Sequence, residues 1–170
     1  AVDAMKESLD FHLRHMQNIF PEMVINLLCH GPIEKGLDAS AGFEGGLEYY
    51  NLCIDACALA TIADSFAAIE QRVVEEKRLN WLELLAHLDN NYSGANGELT
   101  RLMLKNIERY GSGGSRADDY AQRISALFTD LVKKSPTPEG FNCIPGIFSW
   151  ANTIPLGQSL GATPNGRRAG

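Results

Sequence analysis

No stretch of this chain approaches the roughly 20 consecutive apolar residues needed to cross a bilayer. The N-terminus, Ala1-Val2-Asp3-Ala4-Met5-Lys6-Glu7, has neither the basic nor the apolar region of a secretory signal. Positive charge is also scarce. Lysine and arginine number 15 against 21 acidic residues, a formal net charge of -6, and the basic residues are scattered, with adjacent pairs at Lys77-Arg78, Lys133-Lys134 and Arg167-Arg168. Such a balance provides no general attraction to phosphate backbones or anionic lipid, so nucleic acid and membrane are poor partners. Cytoplasm is the expected location.

Cysteine is sparse as well: Cys29, Cys53, Cys57 and Cys143 lie in unrelated local contexts, which argues for reduced thiols and against a disulfide scaffold. Cys53 and Cys57 would share one face if their stretch were helical, as two metal ligands could. No further Cys or His stands at a matching spacing nearby, so core packing is the preferred reading and no metal site is expected. His12 and His15 are read the same way, as structural or solvent-facing residues. There is no internal repeat and no low-complexity segment.

What is present suffices for one domain with a sizeable core: 170 residues, 45% of them hydrophobic. Apolar positions recur at helical spacing through Met5, Leu9, Leu13, Met16 and Phe20, are interrupted by Pro21, and resume at Met23, Leu27 and Leu28 until Gly31-Pro32. From Leu59 a stripe of Ile62, Ala63, Phe66, Ile69 and Val73 opposes Asp64, Ser65, Arg72, Glu75 and Glu76, predicting an amphipathic helix with the second set in water. Asn80-Trp81-Leu82-Glu83 has the form of a capping box. Helices follow from Gly97 to Tyr110 and from Ser115 to before Pro136, joined by a flexible Gly111-Ser112-Gly113-Gly114 linker. Ser115 and Asp118 read as the cap of the second.

The helical pattern then stops. Cys143 to Leu156 is β-prone and broken by Pro145 and Pro155, which predicts one short strand, and a second is expected between Asp38 and Tyr49. Isolated strands leave amides and carbonyls unpaired, so their neighbours are expected elsewhere in a longer polypeptide. Two features agree: the chain starts without Met, and it stops within the turn-rich run Gly161-Ala162-Thr163-Pro164-Asn165-Gly166-Arg167-Arg168-Ala169-Gly170. Pro164 fixes φ, and Asn165-Gly166 is a strong turn signal.

That final run resembles the TPDGRRAG segment of the glycyl radical enzymes, the pyruvate formate-lyase family. Five other stretches are similar to the same family in order and spacing: Gly31-Pro32-Ile33-Glu34-Lys35-Gly36-Leu37-Asp38, Leu59 to Ile69, Val74-Glu75-Glu76-Lys77, Arg109-Tyr110-Gly111 and Pro145-Gly146-Ile147-Phe148-Ser149. Each is weak alone; six in order make coincidence improbable. The branch most resembled is the dehydratase and lyase branch often called formate acetyltransferase. Three departures stand out: Asn165 where Asp is usual, Thr153 where many members carry His, and Cys53-Ile54-Asp55-Ala56-Cys57 in place of a Gly-rich stretch.

The resemblance implies a helix-rich α/β fold, a fragment of a ten-stranded α/β barrel with about five or six helices and one or two strands, and residues 1–170 as one partial domain continuing at both ends. It also implies radical cleavage of a C–C, C–O or C–N bond in a small molecule. The catalytic Cys loop is expected before residue 1 and the radical-bearing Gly after residue 170, so none of the four cysteines inherits a catalytic role and the segment alone is expected to be inactive. The glycyl radical would be installed by a radical S-adenosylmethionine activase, which with the substrate, and a second copy in a homodimer, makes up the expected partners.

Substrate contact falls to a strand over 147–152, where a period of two puts Phe148, Trp150 and Asn152 on one side and Ser149 and Ala151 on the other. Phe148 and Trp150 as plain core aromatics is the competing reading. Arg167-Arg168 could bind an anionic group, but the preferred role is to hold their own turn through hydrogen bonds to carboxylate or backbone groups. The alternative for the whole chain is a standalone helical interaction module derived from such an enzyme.

Overall fold

A computed structural model describes residues 1–16, 22–39, 45–48, 51–137, 141–149 and 151–170; the side chains of His12, Leu13, His15 and Met16, and with them the His12/His15 reading, lie outside it. So do Phe20, Pro21 and part of the strand expected between Asp38 and Tyr49. Among the described residues are eight α-helices and two parallel strands. The strands are β1 (Asn51–Ala56) and β2 (Asn142–Ile147), paired as a two-stranded sheet. Two compact units divide the chain, Ala1–Asp55 with Phe128–Gly146, and Ala56–Leu127 with Ile147–Gly170.

In the first unit, α1 (Val2–Met16) is anchored by a lysine. Lys6 is buried, and its Nζ donates to Val132 O and Ser135 O at 2.7 Å each and to Thr137 Oγ1 at 3.1 Å. These acceptors close the last turn of α7 (Arg116–Lys134), where helix carbonyls have no intrahelical partner and the dipole favours a cation. Helix α2 (Met23–Leu28) gives way to one extended residue, Cys29, before α3 (His30–Lys35). The expected stop at Gly31-Pro32 is therefore a start. Proline lacks only an amide that a first helical turn leaves unbonded anyway, so Pro32 fits inside α3. A Cβ on Gly31 would lie 2.0 Å from Gly46 O, so only glycine permits that approach.

Cys53 lies in β1 and Cys57 just beyond its end, not on a helix, and both cysteines are exposed, which removes the shared helix face and the core role together. Strand pairing prevails because Ile54 is fully buried while its neighbours alternate outward.

The second unit is built on α4 (Leu59–Ile69), which continues into a π-helical turn, Glu70–Glu75. Its inward face is displaced from the expected one. Ala63, Ala67 and Ala68 are buried together with Asp64 and Arg72, while Ile62 and Phe66 are exposed. Alanines let α4 approach α6 (Gly97–Lys105) closely, and the two buried charges are retained because each is paired. Arg72 donates twice to Glu76 at 2.7 Å, to Met103 O at 3.2 Å, and to Asn106 O, covering carbonyls at the end of α6. The wider π turn aligns residues five apart. Gln71 Nε2 reaches Glu76 Oε1 at 2.8 Å, and Glu70 and Glu75 both come within 3.0 Å of Arg116 Nη1 at ion-pairing distance, outside hydrogen-bond alignment.

Helix α5 (Trp81–Asp89) begins at the expected capping box: Asn80 Oδ1 accepts from Glu83 N at 3.0 Å and Glu83 Oε2 accepts from Asn80 N at 2.7 Å. Helix α6 ends at Lys105, earlier than Tyr110, because Arg72 and Arg109 take up its terminal carbonyls. The glycine linker before α7 is pinned, not free. Asp118 accepts from the amides of Gly111, Gly113 and Ser115 at 2.7 to 2.9 Å, and Ser115 Oγ accepts from Asp118 N at 3.1 Å. Ala68, Val73, Leu79, Leu84, Tyr92 and Leu104 form the core of this unit.

Candidate functional site

The strand expected over 147–152 ends at Ile147. Phe148 N still donates to Ala56 O at 3.1 Å, but Ala151 and Asn152 lie in a turn that starts α8 (Thr153–Gln158), with Leu156 N donating to Asn152 O at 3.1 Å. Pro155 sits in the first turn of α8, where its missing amide costs nothing. A pleat therefore does not relate Phe148 to Asn152. Phe148 and Asn152 are both exposed, and Trp150 lies outside the described residues.

A polar constellation instead joins α4, the Arg109-Tyr110-Gly111 motif and the C-terminal turn. Asp64, 8% exposed at its side chain, accepts from Arg109 Nη1 at 2.8 Å through Oδ2 and from Tyr110 N at 2.8 Å through Oδ1. The other arm of Arg109 donates to Lys105 O and Asn165 O, both at 3.0 Å. Asn165 Oδ1 accepts from Thr163 Oγ1 at 2.7 Å and Arg167 N at 3.2 Å. Because it acts only as an acceptor here, the oxygen that Asn shares with Asp fills the position.

Asn165-Gly166 makes the expected turn, closed by a Thr163–Arg167 bridge. Gly166 has φ +81°, and a Cβ there would stand 2.7 Å from Arg101 O on α6. Tyr92, almost fully buried, donates its hydroxyl to Thr163 O at 2.6 Å, and burial pushes its pKa up to about 12. Arg167 donates to Gly161 O at 3.1 Å and to Gly157 O, so it holds its own loop as expected. Arg168 reaches Glu98 Oε2 at 2.8 Å, and Arg101 takes both oxygens of the same carboxylate at 2.6 and 2.9 Å. Hydrogen bonds from Arg101 first, then Arg168, hold the Glu98 carboxyl down at about 2.

The sequence reading missed Tyr92, Lys6 and Arg72. The Glu98/Arg101 and Arg72/Glu76 pairs carried a local signal, their spacings of three and four. Together these residues position backbone. Among them, Asp64 and Glu98 are each occupied by arginine.

A helix-rich α/β chain, three of whose motifs meet at one anchored turn, corresponds to a part of the glycyl radical enzyme barrel. A sequence model described as pyruvate formate lyase-like matches residues 1–157, and the chain belongs to that family of glycyl radical enzymes. It is 29% identical over 125 residues to (2S)-3-sulfopropanediol dehydratase of Klebsiella oxytoca, covering 74% of this chain and 15% of that one. With trans-4-hydroxy-L-proline dehydratase of Clostridioides difficile it shares 32% identity over 135 residues, covering 79% and 17%. The structure of a glycyl radical enzyme from Archaeoglobus fulgidus superimposes with a TM-score of 0.80 at 21% identity, covering 99% of this chain and 21% of that one, a likeness of fold. The chain thus spans about a sixth of the length of these curated relatives.

Proposed function

We propose that this chain is a segment of a glycyl radical dehydratase or lyase that cleaves a C–O, C–C or C–N bond of a small molecule in the cytoplasm. The family match across residues 1–157 carries this reading, together with relatives named as dehydratases. The segment is a wall and not a reaction centre: Phe148, Trp150 and Asn152 face substrate, and the Asp64–Arg109–Asn165 lock fixes the turn that follows α8. A glycyl radical installed by a radical S-adenosylmethionine activase, acting through a cysteine, supplies hydrogen-atom abstraction in the intact enzyme, with both residues outside this segment. Walls of this kind exclude water and oxygen from a reactive centre. A homodimer completes the proposal.

The test is electron paramagnetic resonance after anaerobic incubation with the activase. The full-length protein is expected to give a glycyl-type doublet and the isolated segment none; a doublet from the segment would overturn its non-catalytic role. For the wall, Trp150→Ala in the full-length enzyme is expected to alter turnover or substrate choice with little loss of stability. A core role predicts instead a loss of about 3–5 kcal/mol with unchanged kinetics in the folded fraction, as for large-to-Ala core changes.

A further inference from the structure

An open cleft of about 540 Å³ lies between α6 and the C-terminal turn, lined by Glu98, Arg101, Lys105, Arg109, Arg167 and Arg168 among others. Five of these six side chains are cationic in a chain whose net charge is -6, so the charge is concentrated here against the overall sign. Anchoring accounts for only part of it. Arg109 is neutralised by Asp64, Arg101 and Arg168 share the single carboxylate of Glu98, and Arg167 meets only neutral carbonyls. The ammonium of Lys105 has no hydrogen bond or ion pair among the described residues, and Arg168 donates only through Nη2, leaving Nε and Nη1 available. Three positive charges are left in excess on one cleft, with uncommitted donors on two sides of it.

We infer that this cleft binds a phosphate-type oxyanion, seated between Lys105 on α6 and Arg168 on the turn. A divalent oxyanion matches the excess charge better than a carboxylate does, and it offers acceptors to a point-charge ammonium and to a guanidinium edge together. Glu98 faces the same cleft, but its negative charge is committed to Arg101 and Arg168, so it turns those guanidinium groups rather than repelling the ligand outright. The lining of the cleft includes neither Phe148 nor Asn152, and binding there does not rest on the radical reading.

Isothermal titration calorimetry of the full-length protein at low ionic strength, with inorganic phosphate as probe, tests the inference. Saturable binding is expected, with acetate much weaker at matched ionic strength. Lys105→Gln and Arg168→Gln should each weaken it about tenfold, the equivalent of one charge-assisted contact, and Arg123→Gln, on α7 over the Tyr120 ring, should leave it unchanged. Circular dichroism should show the variants folded, since the Lys105 ammonium makes no hydrogen bond or ion pair among the described residues and Arg168 is half exposed. Glycerol phosphate distinguishes the source: tighter binding than inorganic phosphate points to a phosphoryl group on a larger molecule, equal or weaker binding to the free ion. No saturable heat, an acetate response equal to that of phosphate, or undiminished binding in the Lys105→Gln/Arg168→Gln double variant would each overturn the inference, whether the cleft is simply solvated or taken by an acidic segment of polypeptide.

Discussion

At the scale of single residues, Gly166 and Asp64 carry the anchored turn. Gly166→Ala would force a left-handed φ on a side-chain-bearing residue and press its Cβ into the backbone of α6. The strain term alone costs roughly 1–3 kcal/mol, so a lowered urea midpoint with an unchanged m-value is expected; an unaltered midpoint would show that the turn detaches without cost. Asp64→Ala leaves a guanidinium arm and the Tyr110 amide without their acceptor. Removing one partner of a largely buried pair costs on the order of 3 kcal/mol, less whatever water recovers at Arg109, which is 36% exposed. Asp64→Asn should cost less, since it still accepts from Tyr110 N, and a larger loss for Asn than for Ala would contradict the pairing.

Among the elements, the Asp118 cap and the Glu98 ion pairs are acid-sensitive parts. Asp118 lies at about 2, lowered first by the amides of Gly111 and Ser115, and Glu98 at about 2, lowered first by Arg101. Their ordinary values are 3.8 and 4.5, so between those values and about 2 the unfolded chain binds protons that the folded chain does not. Their contribution to stability is complete above about pH 5 and is lost as pH falls through about 2. Urea titrations at pH 6, 4, 3 and 2 should show a progressive fall, and Asp118→Asn should flatten the acid limb. A variant with the same acid dependence as the parent would show that the Gly111-to-Ser115 cap contributes nothing to acid unfolding. The π-helical turn belongs to this scale too, since one extra residue per turn is what lets Glu70 and Glu75 meet Arg116.

For the molecule as a whole, apolar surface is the dominant property. Helix α2 exposes Met23, Val24, Leu27 and Leu28 at 72 to 79%, and the second unit exposes Leu82 at 79% and Leu99 at 69%. Soluble monomers rarely leave contiguous patches of this kind open. The isolated segment is therefore expected to bind a hydrophobic dye and to self-associate in sedimentation as concentration rises. A clean monomer at high concentration that binds no dye would count against that expectation.

Much of this was legible in sequence because it is local. The Asn80 capping box, the Ser115–Asp118 cap and the Asn165-Gly166 turn each depend on residues within three or four positions of one another, and each forms as read. The family was legible for a related reason: six short motifs kept their order. Other features depended on partners far along the chain. Asp64 reads as a solvent-facing residue until Arg109, 45 positions away, enters beside it; Lys6 carries no local sign of its acceptor Val132, at a separation of 126. The Cys53-to-Ala56 stretch became a strand because β2 supplied its ladder, and the segment after Ile147 left the sheet for α8. Periodicity reports which residues could share a face. Which face is buried, and which charges are taken inside, is set by the elements that come to cover them.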